Sequence, residues 1–119
     1  MTPDSPLLEA MLRVEALLTP DGAWMQHEIA CNRDGDVVDA QSRHATCWCL
    51  EGAIERVTGG TGNRLFEAVC AAIKPFVTEP QFALWVYNDA PTTAKADVLG
   101  CIRRAIERER ARIAVEAVS

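Results

Sequence analysis

Apolar residues recur every three or four positions through separate segments of this 119-residue chain, and that period commits most of it to amphipathic helices. The first run is the clearest. Ser5 is a good N-cap, Pro6 suits the first helical position, and Leu7, Leu8, Met11, Leu12, Val14, Leu17 and Leu18 fall on one broad face. "TPDG" (Thr19 to Gly22) is turn chemistry and ends it. A second helix is expected over "HATCWCLEGAIERV" (His44 to Val57). At about 100° per residue, Leu50, Ala53, Ile54 and Val57 form its stripe, Cys47 and Cys49 flank it on opposite sides, and Trp48 lies on the remaining arc with Glu51, Glu55 and Arg56. Gly52 beside Trp48 leaves room for another backbone or ring to approach closely. A third helix buries Leu65, Phe66, Val69, Cys70, Ala72 and Ile73 between "TGGTGN" and Pro75. "PQFALWVYNDAP" (Pro80 to Pro91) reads as a short helix opened by Pro80, with a strand as the alternative. The last helix runs from about Thr93 nearly to the C-terminus, on Val98, Leu99, Ile102, Ala105, Ile106 and Ile113. Glu109 thins that stripe, so residues 107–119 are expected to project as a helix end.

One segment breaks the helical period. "WMQHEIACNRDGDVVDA" (Trp24 to Ala40) alternates, and Asp34-Gly35 at its middle favours a two-residue type I′ turn. That register sets Arg33 against Asp36, Cys31 against Val38 and Ile29 against Ala40, gathering Ile29, Cys31, Val38 and Ala40 on one apolar face. A two-stranded ribbon is marginal alone, so a helix must cover that face. The pattern therefore predicts a mainly α (α+β) fold. It is a compact bundle of about four helices with one small β-hairpin between the first and second, in a single domain over residues 1–119.

Charge and composition narrow the functions. Seventeen acids against twelve bases give a net charge of −5 and a pI of about 5.0. That balance suits sequence-independent nucleic-acid binding poorly, and no nucleic-acid partner is expected. No apolar run approaches the roughly 20 residues of a membrane span. Asp4 and Glu9 stand where a secretory signal would be positive. The expectation is a cytoplasmic protein with no membrane partner. Five cysteines cannot all pair within one chain, which makes free thiols the expectation.

Several residue groups invite chemistry. His27 and Cys31 would share one strand face, with His44 and Cys47 a helical turn apart; together they make a four-ligand alternative for a metal. The spacing matches no standard zinc pattern, Cys31 already has a place on the apolar ribbon, and no metal or other cofactor is expected. Reactive thiols need an electropositive, partly exposed setting, and these cysteines fall on buried faces. "GGTGNR" (Gly59 to Arg64) lacks the lysine of a phosphate loop and follows no strand, so it reads as a helix cap and connector. Glu51 and Glu55, one turn apart, are ordinary on a solvated helix face. In "YNDAPTT" (Tyr87 to Thr93) the Asn, Asp and Thr residues suit turns and caps. Its aromatic neighbours suggest a groove, with Trp48, Gly52, Trp85, Tyr87, Asn88 and Asp89 as the binding residues.

"WCLEGAI" (Trp48 to Ile54), "YNDAPTT" and "DVLGCIRRAI" (Asp97 to Ile106) together resemble an uncharacterised family, a domain of unknown function found in small bacterial and phage proteins. That family shows a W-C-x-x-G-A segment, an aromatic-N-D turn and a closing V-L helix, and Trp24 resembles the tryptophan that opens its pattern. The resemblance spans roughly residues 5 to 108. It implies a mainly helical domain and carries no activity, substrate or cofactor; the basic stretch from Glu107 to Ser119 departs from it.

The expected function is a non-enzymatic protein-interaction module associated with phage or mobile elements. A small metal- or ligand-binding domain on His27, Cys31, His44 and Cys47 is the alternative, and an enzyme ranks third. Residues 101–119 hold five bases and three acids in an otherwise acidic chain. This favours a protein partner or a homodimer through Arg103, Ile106, Arg110 and Ile113 of the last helix.

Overall fold

The computed structural model describes residues 5–77 and 83–118. Helix α1 (Pro6–Leu18) starts where its capping residues direct: the Ser5 hydroxyl accepts from the Leu8 N–H at 3.1 Å. It buries Ala10, Met11, Val14 and Leu18 against α2 (Leu50–Thr58), α3 (Arg64–Ile73) and α5 (Lys95–Val118). Asn63 caps α3 through the Phe66 N–H at 2.7 Å. Pro75 tightens the following residues, Lys74–Phe76, into a 3-10 turn. The short helix expected near the aromatic cluster is α4 (Leu84–Asp89). Residues 80–82 of that expected helix, including Pro80, lie outside the described residues.

A small antiparallel hairpin sits between α1 and α2, as expected, but with another partner strand. β1 (Ala30–Asn32) pairs with β2 (Ala45–Trp48) in the register Ala30–Trp48, Cys31–Cys47 and Asn32–Ala45. The Asp34-Gly35 turn does form. Gly35 N–H donates to Asn32 O, and the Asn32 side chain accepts from the Asp34 and Asp36 N–H groups at 2.9 Å. The chain leaving it makes only an isolated bridge, Cys31 with Val37 rather than Val38. Ile29, expected on the covered face, is 37% exposed. Burial decides the pairing, because β2 brings Trp48 under the core while Val37 stays 60% exposed.

The same choice corrects the start of α2. Residues 45–48 are strand, so Cys47 is not on a helix, and Cys49 is the N-cap, its sulfur accepting from the Gly52 N–H at 3.2 Å. A helical register would turn Trp48 away from the core; the strand buries its large ring.

Glu109 also behaves differently from an interruption. It is buried: its carboxylate accepts from the Ser5 hydroxyl at 2.8 Å and, bidentate, from Arg112 at 2.6 and 2.8 Å. α5 therefore stays docked as far as the buried Ile113, and Val115 and Val118 are its large apolar side chains in solvent. Arg112 most of all, aided by Ser5 and opposed by burial, holds Glu109 below the ordinary carboxylate range. A lowered folded pKa means this contribution is present above the unfolded value of about 4.3 and is lost as pH falls through the folded one. Urea titrations should show Glu109→Gln less stable than the wild type at pH 7, with the gap closing as the medium is acidified below pH ~4. Ser5→Ala, which loses the cap and this donor together, should cost about 1 kcal/mol.

Candidate functional site

The aromatic-N-D segment holds a dense polar network. Asn88 is fully buried on α4, and its amide uses both acceptor and both donor positions. Its Oδ1 accepts from Trp24 Nε1 at 2.6 Å and from the Leu50 N–H at 3.0 Å. Its Nδ2 donates to Met25 O and to Asp89 Oδ1, both at 3.0 Å. One side chain thus ties together the segment before β1, the N-terminus of α2 and α4. The Leu50 N–H it takes up is one of the first-turn donors that a helix leaves unpaired. Asp89 Oδ1 also accepts from the His27 N–H at 2.7 Å, and His27 has a φ of 77°, uncommon outside glycine. The Gln26 amide adds bonds to the carbonyls of Asn88 and Ala90 at 3.0 and 3.1 Å.

Most of the other expected binding residues belong to the same framework. Gly52 is buried where a Cβ would fall onto the Ile29 carbonyl oxygen, and that oxygen accepts from the Cys49 N–H at 3.2 Å. Trp48, expected to face a ligand or partner, is 6% exposed. Its Nε1 donates to Ala40 O at 3.1 Å, and the Arg56 guanidinium lies 5.5 Å from its ring centre while bonding Ala40 O and Ser42 O. Tyr87 is buried, with its hydroxyl accepting from the Cys101 thiol at 3.5 Å. Burial first, then Cys101, holds that phenol well above its usual range. Trp85 alone of the six is exposed, at 54%.

The four-residue metal set does not assemble: among the described residues no three His, Cys, Asp or Glu side chains are grouped as an ion would require. His44 lies beside Asn32, Arg43 and Thr46, whereas His27 lies beside Trp85 and Asp89, in separate cavities. All five cysteines are free. Burial pushes the Cys49 thiol up to about 11, against hydrogen bonds from the Gly52 and Glu51 backbone, and pushes Cys70 up to about 12. Both are protonated, weak nucleophiles at neutral pH. The glycine-rich connector serves its helices: Gly59 closes α2 in a left-handed conformation, and Asn63 Nδ2 donates to Thr58 O and Gly60 O.

What faces solvent is a different surface. Ile29, Val37 and Trp85 are its large exposed apolar side chains. A cavity of about 640 Å³ opens between Ile29, Val37 and Val38, rimmed by Glu28, Asp39 and Glu55. A smaller one of about 180 Å³ shares Glu28 and Ile29 with it and reaches Trp85, His27 and Asp89. The expected hairpin register hid this face by assigning Ile29 to the covered side. The acids around the valines in "DGDVVDA" are the signal that pointed outward.

Among the described residues no helix is long and apolar enough to cross a membrane. No curated protein and no solved structure matches the chain. The model of a family of unknown function, DUF6197, matches residues 2–108 and stops just short of Glu109. On that match, which takes in the W-C-x-x-G-A helix start and the aromatic-N-D latch, the chain belongs to the DUF6197 family.

Proposed function

We propose that the protein is a small non-enzymatic interaction module whose binding face is the acid-rimmed apolar surface of Ile29, Val37 and Trp85. One observation carries this reading. Three large apolar side chains, 37 to 60% exposed, border two adjoining cavities in a domain whose other large apolar residues are mostly buried. Exposed apolar surface with a polar rim is the usual mark of a protein-binding patch. Glu28, Asp39, Glu55 and Asp89 around it favour a partner segment that presents apolar side chains among lysines or arginines. The raised thiols of Cys49 and Cys70 argue against nucleophilic chemistry at those positions.

A contact through the last helix is a weaker proposal. Ile106 and Ile113 are 2% and 9% exposed within the chain's own fold. Arg103 pairs with Glu15 at 2.7 Å and Arg110 with Glu107 at 3.1 Å. That leaves little unpartnered apolar surface on α5 before Val115.

The test is a pull-down from the native host with the full chain and two surface variants. Val37→Lys with Trp85→Ala should keep the wild-type melting temperature and lose the specific prey, while Val115→Lys should retain it. Recovery of the same prey by the Val37→Lys, Trp85→Ala protein would sink this assignment.

A further inference from the structure

We propose that Met25, Cys31 and Cys47 form a binding site for a soft monovalent cation, Cu(I), on the open side of the β1–β2 pair. Cys31 and Cys47 are register partners across the two antiparallel strands, so their side chains leave the same face of the sheet. The Cys47 thiol donates to the Cys31 carbonyl oxygen at 3.7 Å. The Cys47 sulfur also lies 3.6 Å from the Met25 sulfur, which sets a thioether beside the cross-strand cysteine pair. An ion bound at about 2.3 Å by three sulfurs in a plane holds them about 4 Å apart. The Cys47–Met25 pair reaches that spacing with a shift of a few tenths of an ångström.

The donor set selects the ion. Two thiolates and a thioether are soft ligands that suit Cu(I), whereas zinc takes four ligands and rarely a thioether. The site keeps Cys31 and Cys47 from the metal set read from the sequence, and Met25 stands in place of its two histidines, which lie elsewhere. Its backbone is prearranged: Met25 N–H donates to Trp48 O at 3.0 Å, and Met25 O accepts from the Asn88 amide at 3.0 Å. The strand pairing fixes both cysteines. Cys31 is buried, while Met25 and Cys47 are half-buried, which gives an ion a way in from solvent. Glu28 and Asp36 act on the Cys31 sulfur with negative charge that a bound cation offsets. Binding releases the two thiol protons and forms two copper–thiolate bonds with no change in oxidation state, so no oxidant or reductant is consumed. This site is independent of the proposed partner face and survives its failure.

The experiment uses the full chain, reduced and handled without oxygen, with Cu(I) presented as its complex with the chromophoric chelator bicinchoninate. The wild type should withdraw one Cu(I) per chain from the chelator and gain melting temperature in doing so. Cys47→Ser, a change at a half-buried sheet position, should withdraw none and gain nothing, and Cys70→Ser should behave as the wild type. Met25→Leu should weaken binding at least about tenfold, the cost of losing even an outer-shell partner of a metal. Equal uptake by Cys47→Ser, loss of uptake in Cys70→Ser, or wild-type affinity in Met25→Leu would each overturn the site. So would a reduced wild type that takes up no Cu(I) and only forms a Cys31–Cys47 disulfide when treated with a thiol oxidant.

Discussion

Asn88→Ala should lower the stability of the fold by about 4 kcal/mol, a loss built from the groups that its amide leaves unpaired. Truncation strands the Trp24 indole N–H, the Leu50 N–H and the Met25 carbonyl. A buried polar group without a partner costs about 1–3 kcal/mol, and water entering the vacated volume recovers part of the sum. Against a typical total of about 5–15 kcal/mol, such a loss brings the domain near its limit. Asn88→Asp is the informative companion. It keeps two acceptors for Trp24 and Leu50 but sets a carboxylate against Met25 O and the Asp89 carboxylate, both of which accept from the Asn88 amide. It should rescue little. Urea unfolding followed by tryptophan fluorescence measures both variants, and a loss under about 1 kcal/mol for Asn88→Ala would mean that the network is not a structural latch.

The latch also marks where sequence reasoning stops. The boundaries of α1 and α3 were legible because their causes are local: Ser5 caps Leu8, Asn63 caps Phe66, and an apolar stripe follows each. Asn88 was legible as a turn or capping residue and as a candidate binding residue, but not as a buried latch. Its partners lie 64, 63 and 38 positions away, at Trp24, Met25 and Leu50, and no local pattern records them. Residues 45–48 are short and apolar enough to fit either a strand or a first helical turn. Tertiary burial of Trp48 decides for the strand, and that choice moves Cys47 beside Cys31 and Met25. Glu109 went astray for a related reason. A carboxylate in an apolar stripe looks like the end of a buried face until Ser5, 104 positions earlier, and Arg112 are seen to satisfy it. Of the face of Ile29, Val37 and Trp85, the sequence offers Trp85 as a binding residue but places Ile29 on the covered side, because its exposure depends on which strand β1 accepts as its neighbour.

Gly52→Ala should destabilise the protein by about 3 kcal/mol, opposite in sign to what helix propensity alone predicts. In an exposed helix interior, alanine is better than glycine by about 1 kcal/mol, because glycine loses more backbone freedom on folding. At Gly52 the new methyl group would land on the Ile29 carbonyl oxygen and crowd its carbon and side chain. The obstacle is backbone held by the Cys49 N–H, so it cannot turn aside as a flexible side chain would. α2 must instead lift away from the segment leading into β1, straining the Cys49 N–H···Ile29 bond and the Cys49 cap on the Gly52 N–H. Gly100, in α5, supplies the control within the same molecule. Nothing lies within 4 Å of the position a Cβ would take there, so Gly100→Ala should stabilise by up to about 1 kcal/mol. Denaturant titrations of the two single variants therefore differ in sign as well as in size. If Gly52→Ala proved neutral or stabilising, the close approach of α2 to Ile29 would not hold in solution, and the glycine of the W-C-x-x-G-A segment would need another cause.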